Sequence, residues 1–227
     1  MSGERVQDGM RAMLALRRER IAAGEKPLGW KLGFGSAAAM EKLGLDRPLV
    51  GFLTDAGVLA DGARVPVGGW AAPALEPELA VHLARDIGGD ASRDEVQAAI
   101  GGLSAAIELA DVDPPPADAA AILAGNIFHR HVILGSVDRG RTSADGIVGA
   151  LERDGEEVAR TDTPEALTGR LADVLRLTAA ALAASGERLS AGEVVITGSV
   201  VAPLPVAPGQ VVSAHLHPLG SLSVELV

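Results

Sequence analysis

The stretch Ala74-Leu75-Glu76-Pro77-Glu78-Leu79-Ala80-Val81 dominates the interpretation of this chain, because two acids interrupt an otherwise apolar run. Pro77 cannot occupy a helix interior and moves Glu76 towards extended geometry, so a strand is predicted. Side chains at i and i+2 of a strand share a face, which would place Glu76 and Glu78 side by side. A divalent cation such as Mg²⁺ or Mn²⁺ would relieve their repulsion and their lost solvation. The alternative is an edge strand with a solvated acidic face.

A third acid, Glu108, stands in the apolar run Ala105-Ala106-Ile107-Glu108-Leu109-Ala110, which is predicted to be a buried strand. A buried carboxylate is costly unless it is paired or bound to a metal. Glu108 would therefore complete a set of three oxygen ligands that leaves positions open for substrate and water. Asp111 and Asp113 are alternative ligands at the start of a proline-rich loop.

Lys31 lies between Trp30 and Leu32 in a segment that is otherwise apolar. A lysine in such surroundings usually has an ion-pair partner or a functional role, and near a metal it could polarise a substrate oxygen or transfer a proton. The alternative is a lysine that extends its charged end to solvent from a strand edge.

Other patterns carry weaker signals. The stretch Gly33-Phe34-Gly35-Ser36-Ala37-Ala38 matches GxGxxA, but the strand before it is short and no βαβ repetition follows. The pairs His129/His131 and His215/His217 could each share a strand face, yet no third zinc ligand stands at a suitable spacing. Structural or surface roles are therefore expected for these histidines.

Composition excludes several classes of protein. The 227 residues contain no cysteine, which rules out disulfides, thiolate zinc sites and cysteine nucleophiles. A net charge of −10 disfavours nucleic acid and anionic membranes as partners. No signal peptide and no run of 18 apolar residues is found, so a cytoplasmic protein without a membrane span is expected.

The pattern of predicted elements indicates an α+β fold built on a folded-over β-sheet, because short strands predominate without regular βαβ alternation. Helices are expected at 4–23, 37–43, 94–100 and 164–186, and a loop at 111–118. Strands are expected at 30–34, 49–67, 76–83, 103–109, 131–134, 146–151, 157–160, 194–197, 211–217 and 222–227. Ser36 and Gly44 are the predicted caps of the second helix.

Taken in order, a set of motifs resembles one known family. The motifs are Lys31-Leu32-Gly33-Phe34 with Ser36, Gly51-Phe52-Leu53-Thr54-Asp55-Ala56, Leu75-Glu76-Pro77-Glu78-Leu79-Ala80, Ile107-Glu108-Leu109, Asn126, and the C-terminal segments 186–198 and 208–221. Together they resemble the 2-oxo-4-pentenoate hydratases and 4-oxalocrotonate decarboxylases of the fumarylacetoacetate hydrolase superfamily, over roughly residues 27–227. The chain departs from that pattern at 110–113, at Gly125 and at 127–130.

The resemblance implies a mixed β-roll of the fumarylacetoacetate hydrolase C-terminal-domain type with a few flanking helices. A single catalytic domain would span 27–227, with an N-terminal helix in 1–26 packed on it. The residues that the resemblance assigns are Glu76, Glu78 and Glu108 as ligands of Mg²⁺ or Mn²⁺, Lys31 and Asp55 as catalytic residues, and Ser36, Asn126 and Thr197 as substrate-binding residues.

The activity that the resemblance implies is a metal-dependent lyase, a hydratase of 2-hydroxypenta-2,4-dienoate-like acids in the catabolism of aromatic-derived compounds. The 4-oxalocrotonate-type decarboxylase is the main alternative, and the segments 31–34 and 53–56 favour it. An acylpyruvate or fumarylpyruvate hydrolase and a non-catalytic partner subunit are further alternatives. A small 2-oxo acid is the expected partner, and a homo-oligomer is the expected assembly.

Overall fold

The computed structural model describes residues 2–113 and 117–227, so the prolines at 114–116 of the predicted loop lie outside the described residues. The helices are α1 (Ser2–Ala22), α2 (Ala37–Leu43), α3 (Arg93–Ala99), α4 (Ala119–Ala124) and α5 (Leu171–Ala183). The strands are β1 (Pro27–Gly33), β2 (Leu49–Thr54), β3 (Val58–Leu59), β4 (Ala63–Val65), β5 (Pro73–Leu83), β6 (Ile100–Asp111), β7 (His129–Leu134), β8 (Val148–Arg153), β9 (Glu156–Thr161), β10 (Val194–Ser199), β11 (Leu204–Pro205), β12 (Val211–His217) and β13 (Gly220–Leu226).

The strands form two mixed sheets. The larger sheet has the order β2-β1-β10-β5-β6-β7-β3, with β11 paired to β5. The smaller sheet has the order β4-β13-β12-β8-β9. In the larger sheet β1 pairs with β10 and β3 pairs with β7 in parallel, while its other described pairings are antiparallel. This mixture of sheets with a few helices confirms the α+β prediction.

The larger sheet curls strongly. Lys31 on β1 contacts Glu108 on β6, three strands away in the sheet order. Neighbouring strands are about 4.8 Å apart, so these two strands would be about 14 Å apart in a flat sheet. The concave face contains a separate buried apolar cluster, formed by Leu53, Ala80, Ala106, Val132, Val194 and Ile196. The sheet therefore surrounds part of its own face, and the curl brings distant strands together at the candidate site.

The convex face and the helices share the main core. Met10, Met13 and Leu14 of α1 join this core, and α1 lies against α4. Close approach of the two helices depends on Gly9, since a Cβ there would lie 2.7 Å from the Cα of Ala120. The division into an N-terminal helix and a single domain at 27–227 stays a prediction. Among the described residues, no helix is long and apolar enough to cross a membrane.

Several local predictions are confirmed. Ser36 accepts a hydrogen bond from the backbone N–H of Ala39 and Gly44 ends α2 with φ of 63°, as their predicted capping roles require. Ser92 caps α3 in a capping box with Glu95.

One helix prediction is wrong in its start. Residues 164–168 form turns, and α5 begins at Leu171 instead of at Pro164. The reason is local, because Gly169 adopts φ of 94° and interrupts any continuous helix. The short helix α4 and the strand β11 were not predicted.

A left-handed turn connects α4 to β7. Asn126, Ile127 and Phe128 all have positive φ, between 52° and 62°. The buried Asn126 amide holds this turn against the edge strand β2, where it accepts a hydrogen bond from the Phe52 N–H and donates one to the Phe52 carbonyl. The close approach leaves room only for a glycine at position 51, since a Cβ there would lie 2.7 Å from the Asn126 Oδ1.

We predict that Asn126→Ala lowers the free energy of unfolding by about 2–4 kcal/mol, because two buried backbone groups of Phe52 lose their partners. Asn126→Asp should destabilise the protein as well, since a carboxylate still accepts from the Phe52 N–H but cannot donate to the Phe52 carbonyl and adds a buried charge. Urea unfolding monitored by circular dichroism measures both. Equal stability of Asn126→Ala and wild type would contradict this role.

Candidate metal centre and adjoining cavity

Three carboxylates meet on the concave face of the larger sheet. Glu76 on β5 pairs directly with Glu108 on β6, and Glu78 follows two residues along on the same face of β5. One oxygen from each of the three lies within 4.8 Å of the others. The strand period therefore produces the predicted grouping of Glu76, Glu78 and Glu108.

Lys31 supplies the positive charge of this cluster. Its side chain is 3% exposed, and its Nζ donates to the Oε1 of Glu108 and to the carbonyl oxygen of Ile127, the latter at 3.1 Å. The left-handed turn at 126–128 aims that carbonyl at the lysine. Lys31 is thus a buried, paired lysine rather than one that reaches solvent.

Burial and the neighbouring charges give the three acids different pKa values. Burial, then the charge of Glu108, raises the pKa of Glu76 to about 7. Burial also raises the pKa of Glu78 well above its ordinary value, and the charges of Glu108 and Glu76 add to this rise. Burial opposes ionisation of Glu108 as well, but Lys31 and His129 outweigh it and lower the pKa of Glu108. One lysine therefore stabilises one ionised carboxylate among three.

A divalent cation fits this donor set. Glu78 accepts a hydrogen bond at Oε2 from the Gly198 N–H, at 2.6 Å, while its buried Oε1 has no partner among the described residues. The Glu76 carboxylate makes no hydrogen bond with any residue that the structure describes. An all-oxygen set of carboxylates suits Mg²⁺ or Mn²⁺, whose charge would allow all three acids to ionise. The assignment of these three residues as ligands is a proposal.

A cavity of about 350 Å³ adjoins the three acids. Lys31 and Glu76 are the residues of this cluster that line it. Much of the remaining wall is apolar, and this part includes Leu32, Phe34, Ala39, Ala110, Val112, Ile127, Phe128, Leu167, Val201, Ala202 and Pro203. The rings of Phe34 and Phe128 meet edge to face, with centroids 6.3 Å apart. The cavity is large enough for a small organic acid.

The other predicted site residues occupy different positions. Ser36 lines the cavity, although its Oγ also caps α2. The Asn126 amide is committed to Phe52, and the buried Thr197 hydroxyl donates to the Leu79 carbonyl. The exposed Asp55 accepts a hydrogen bond from the Lys26 N–H at 2.8 Å. Of these four, only Ser36 is among the described residues that line the cavity.

Two side chains at the site were not predicted. Ser199 lines the cavity, and its buried hydroxyl has no hydrogen-bond partner among the described residues. His129, for which a structural or surface role was expected, places its Nδ1 2.6 Å from the Oε1 of Glu108. A sequence signal existed only for Ser199, which directly follows the motif segment 186–198 and lies two residues beyond Thr197.

Comparisons with known proteins agree with this geometry. The family model described as the fumarylacetoacetate hydrolase C-terminal domain matches residues 31–227. A 4-oxalocrotonate decarboxylase of Pseudomonas sp. (strain CF600) is 28% identical over 219 residues, which cover 93% of this chain and 82% of that protein. A 2-hydroxyhexa-2,4-dienoate hydratase of Comamonas testosteroni is 28% identical and covers 97% of this chain and 86% of that protein.

Solved structures show the same fold. The 4-oxalocrotonate decarboxylase from Pseudomonas putida G7, complexed with magnesium and adipate, superposes with a TM-score of 0.91. It is 27% identical, and the match covers 98% of this chain and 86% of that one. The fumarylpyruvate hydrolase from Pseudomonas aeruginosa with Mn²⁺ and pyruvate, at 17% identity and a TM-score of 0.70, shares the fold. These matches confirm the predicted β-roll and the resemblance, and relatives with bound ions support a divalent metal.

We predict that the metal-free protein loses stability as pH rises from about 4.5 to about 7. Glu76 has a folded pKa of about 7, above its ordinary 4.5, so the folded chain holds the extra proton in this window. Stability is full below the window, and the loss above it reaches up to about 3 kcal/mol. Urea unfolding in chelator at pH 5 and pH 8 measures it.

Glu76→Gln is the control for this pH dependence, because its amide mimics the protonated acid and cannot titrate. The difference in unfolding free energy between pH 5 and pH 8 should shrink in Glu76→Gln. Equal pH dependence in the two proteins would contradict the raised pKa of Glu76.

Proposed function

Because this chain belongs to the fumarylacetoacetate hydrolase family, we propose that it is a divalent-metal-dependent lyase that hydrates 2-hydroxypenta-2,4-dienoate-like, 2-oxo-4-enoic acids. The names of its relatives, which are hydratases and decarboxylases, confirm the expected enzyme class. The role in catabolism of aromatic-derived compounds agrees with those relatives.

The observation that carries the proposal is the contrast within the cavity wall. Lys31 and Glu76 line the cavity, and Glu76 forms a group with Glu78 and Glu108 that suits an ion and the 1-carboxylate and 2-oxo oxygens of a substrate. The remaining lining consists largely of apolar side chains. A 2-oxo acid with a short uncharged tail matches this lining.

Charge at the cavity separates hydration from decarboxylation. Among the described lining residues Lys31 is the one cationic side chain, and it is already paired with Glu108. The second carboxylate of 4-oxalocrotonate would therefore lie against a largely apolar wall without a counter-ion among these residues, which disfavours its binding. This favours the hydratase over the decarboxylase, which stays the alternative function.

The residues divide the work as follows. When bound, the metal would act as a Lewis acid towards the 1-carboxylate and 2-oxo oxygens of the substrate and would stabilise negative charge on the 2-oxo oxygen. Lys31 holds positive charge beside the same oxygens and is placed to exchange a proton with the substrate. The Ser199 hydroxyl has no partner among the described residues and is available to the bound acid, and Phe34 and Phe128 add apolar surface to the cavity wall.

Several finer assignments belong to the same proposal. Mg²⁺ or Mn²⁺ is the proposed ion, since oxygen ligands favour both. Asp55, Asn126 and Thr197 keep their predicted roles only if the site rearranges when substrate binds, because their polar groups contact other parts of the chain here. A cytoplasmic homo-oligomer remains part of the proposal, and sedimentation velocity of the purified chain tests the assembly.

We predict that Glu78→Gln weakens Mn²⁺ binding by about a hundredfold or more. This loss exceeds the one expected for a residue that only hydrogen-bonds to a metal ligand. The metal-dependent decay of 2-hydroxypenta-2,4-dienoate should disappear with it. Calorimetry and ultraviolet absorbance measure the two effects. Glu156→Gln, which changes an exposed acid at the start of β9, is the control and should behave as wild type. Undiminished Mn²⁺ affinity in Glu78→Gln would contradict the ligand assignment.

We predict that wild type turns over 2-hydroxypenta-2,4-dienoate in preference to 4-oxalocrotonate, because the apolar wall cannot pair a second carboxylate. Ala39 is a half-buried residue of helix α2 and lines the cavity, so Ala39→Arg places a cation at the cavity wall. The substitution should raise kcat/KM for 4-oxalocrotonate, relative to kcat/KM for 2-hydroxypenta-2,4-dienoate, about tenfold, as expected for one charge-assisted hydrogen bond. Ala39→Met is the uncharged control. A wild-type preference for 4-oxalocrotonate would instead support the decarboxylase.

A further inference from the structure

Glu108 receives two hydrogen bonds at a single oxygen. Its Oε1 accepts from the Nζ of Lys31 and, at 2.6 Å, from the Nδ1 of His129. Because an ionised carboxylate can only accept, Nδ1 must carry the imidazole proton. Among the described residues no partner is recorded for Oε2 of Glu108. Oε1 is therefore occupied from within the protein, and Oε2 remains for an ion.

The backbone fixes the ring of His129 in this position. His129 is the first residue of β7, directly after the left-handed turn at 126–128, and β7 shifts its register against β6 between Leu109 and Ala110. The side chain is 4% exposed. A Cβ on Gly57 would lie 3.3 Å from the Nε2, so the far side of the ring is closely packed as well. The ring has little freedom to leave Glu108.

Lys31 is in a different situation from His129. Its Nζ bonds to both Glu108 and the carbonyl of Ile127, and Lys31 also lines the cavity. To donate a hydrogen bond to a substrate oxygen, Lys31 must weaken or break its hydrogen bond to Glu108. Without a second donor, Oε1 would then be buried with no partner, which is costly for a carboxylate.

We propose that His129 is a positioning residue, which holds Glu108 as a one-oxygen metal ligand and frees Lys31 to serve the substrate. This rests on the proposed function of the site. Hydrogen bonds from outer residues orient metal ligands in this way, and their loss typically weakens metal binding 10–100-fold. His129 is not itself a metal ligand, since its Nδ1 donates its proton to Glu108. The group of candidate ligand atoms within 4.8 Å of one another consists of oxygens from Glu76, Glu78 and Glu108.

Four variants test the proposal by Mn²⁺ calorimetry on the full chain. His129→Phe keeps the ring and removes the donor, and His129→Leu is a second donor-free variant should the larger ring disturb folding. His129→Asn retains an N–H near the position of Nδ1. The matched control is His131→Leu, two residues along β7, because that half-buried ring stacks on Trp70 and its Nδ1 has no partner among the described residues.

The donor-free variants should bind Mn²⁺ about tenfold or more weakly, while His129→Asn and His131→Leu stay within about threefold of wild type. In turnover, the donor-free variants should lose kcat more than KM rises, because Lys31 stays committed to Glu108. Wild-type affinity in His129→Phe and His129→Leu would overturn this inference alone. So would an affinity of His129→Asn as low as that of the donor-free variants. Absence of Mn²⁺ binding in wild type would overturn the proposed function together with it.

Discussion

Three carboxylates, of which Glu78 and Glu108 are buried and Glu76 is half-buried, share one face of β5 and β6, and the surrounding structure must compensate their charge. Glu76 and Glu108 are paired across the two strands, and Glu78 lies on the same face. Like charges placed opposite each other oppose strand pairing. The fold tolerates this arrangement because Lys31 supplies one positive charge, and because burial raises the pKa of Glu76 to about 7 and the pKa of Glu78 well above its ordinary value, which reduces the repulsion in the absence of a cation.

The curl of the larger sheet follows from the same requirement. Lys31 reaches Glu108 only because strands three positions apart approach each other across the concave face. Small side chains such as Ala80 and Ala106 occupy that face next to the acids and leave the sheet room to close. The left-handed turn at 126–128 then completes the site, since it aims the Ile127 carbonyl at Lys31 and sets His129 beside Glu108. Fold and site are thus built by the same few contacts.

Sequence patterns predicted the parts of the site that depend on local periodicity. The spacing of Glu76 and Glu78 around Pro77 was sufficient to place two carboxylates on one strand face, and Ser36 and Gly44 marked both ends of α2. The contact between His129 and Glu108 could not be predicted in this way. It depends on a register shift between β6 and β7 and on three consecutive residues with positive φ, none of which is a glycine. The start of α5 was missed because the conformation of Gly169 overrides the apolar pattern around it.

A crystal structure of the protein grown with Mn²⁺, with anomalous diffraction collected near the manganese edge, would show whether Glu76, Glu78 and Glu108 together hold a divalent cation. We expect one strong anomalous peak on the concave face, about 2.0–2.2 Å from one oxygen of each carboxylate, with Oε1 of Glu108 turned away from it. A map without a peak between these three residues, or with the manganese bound only elsewhere, would show that they are not the ligands.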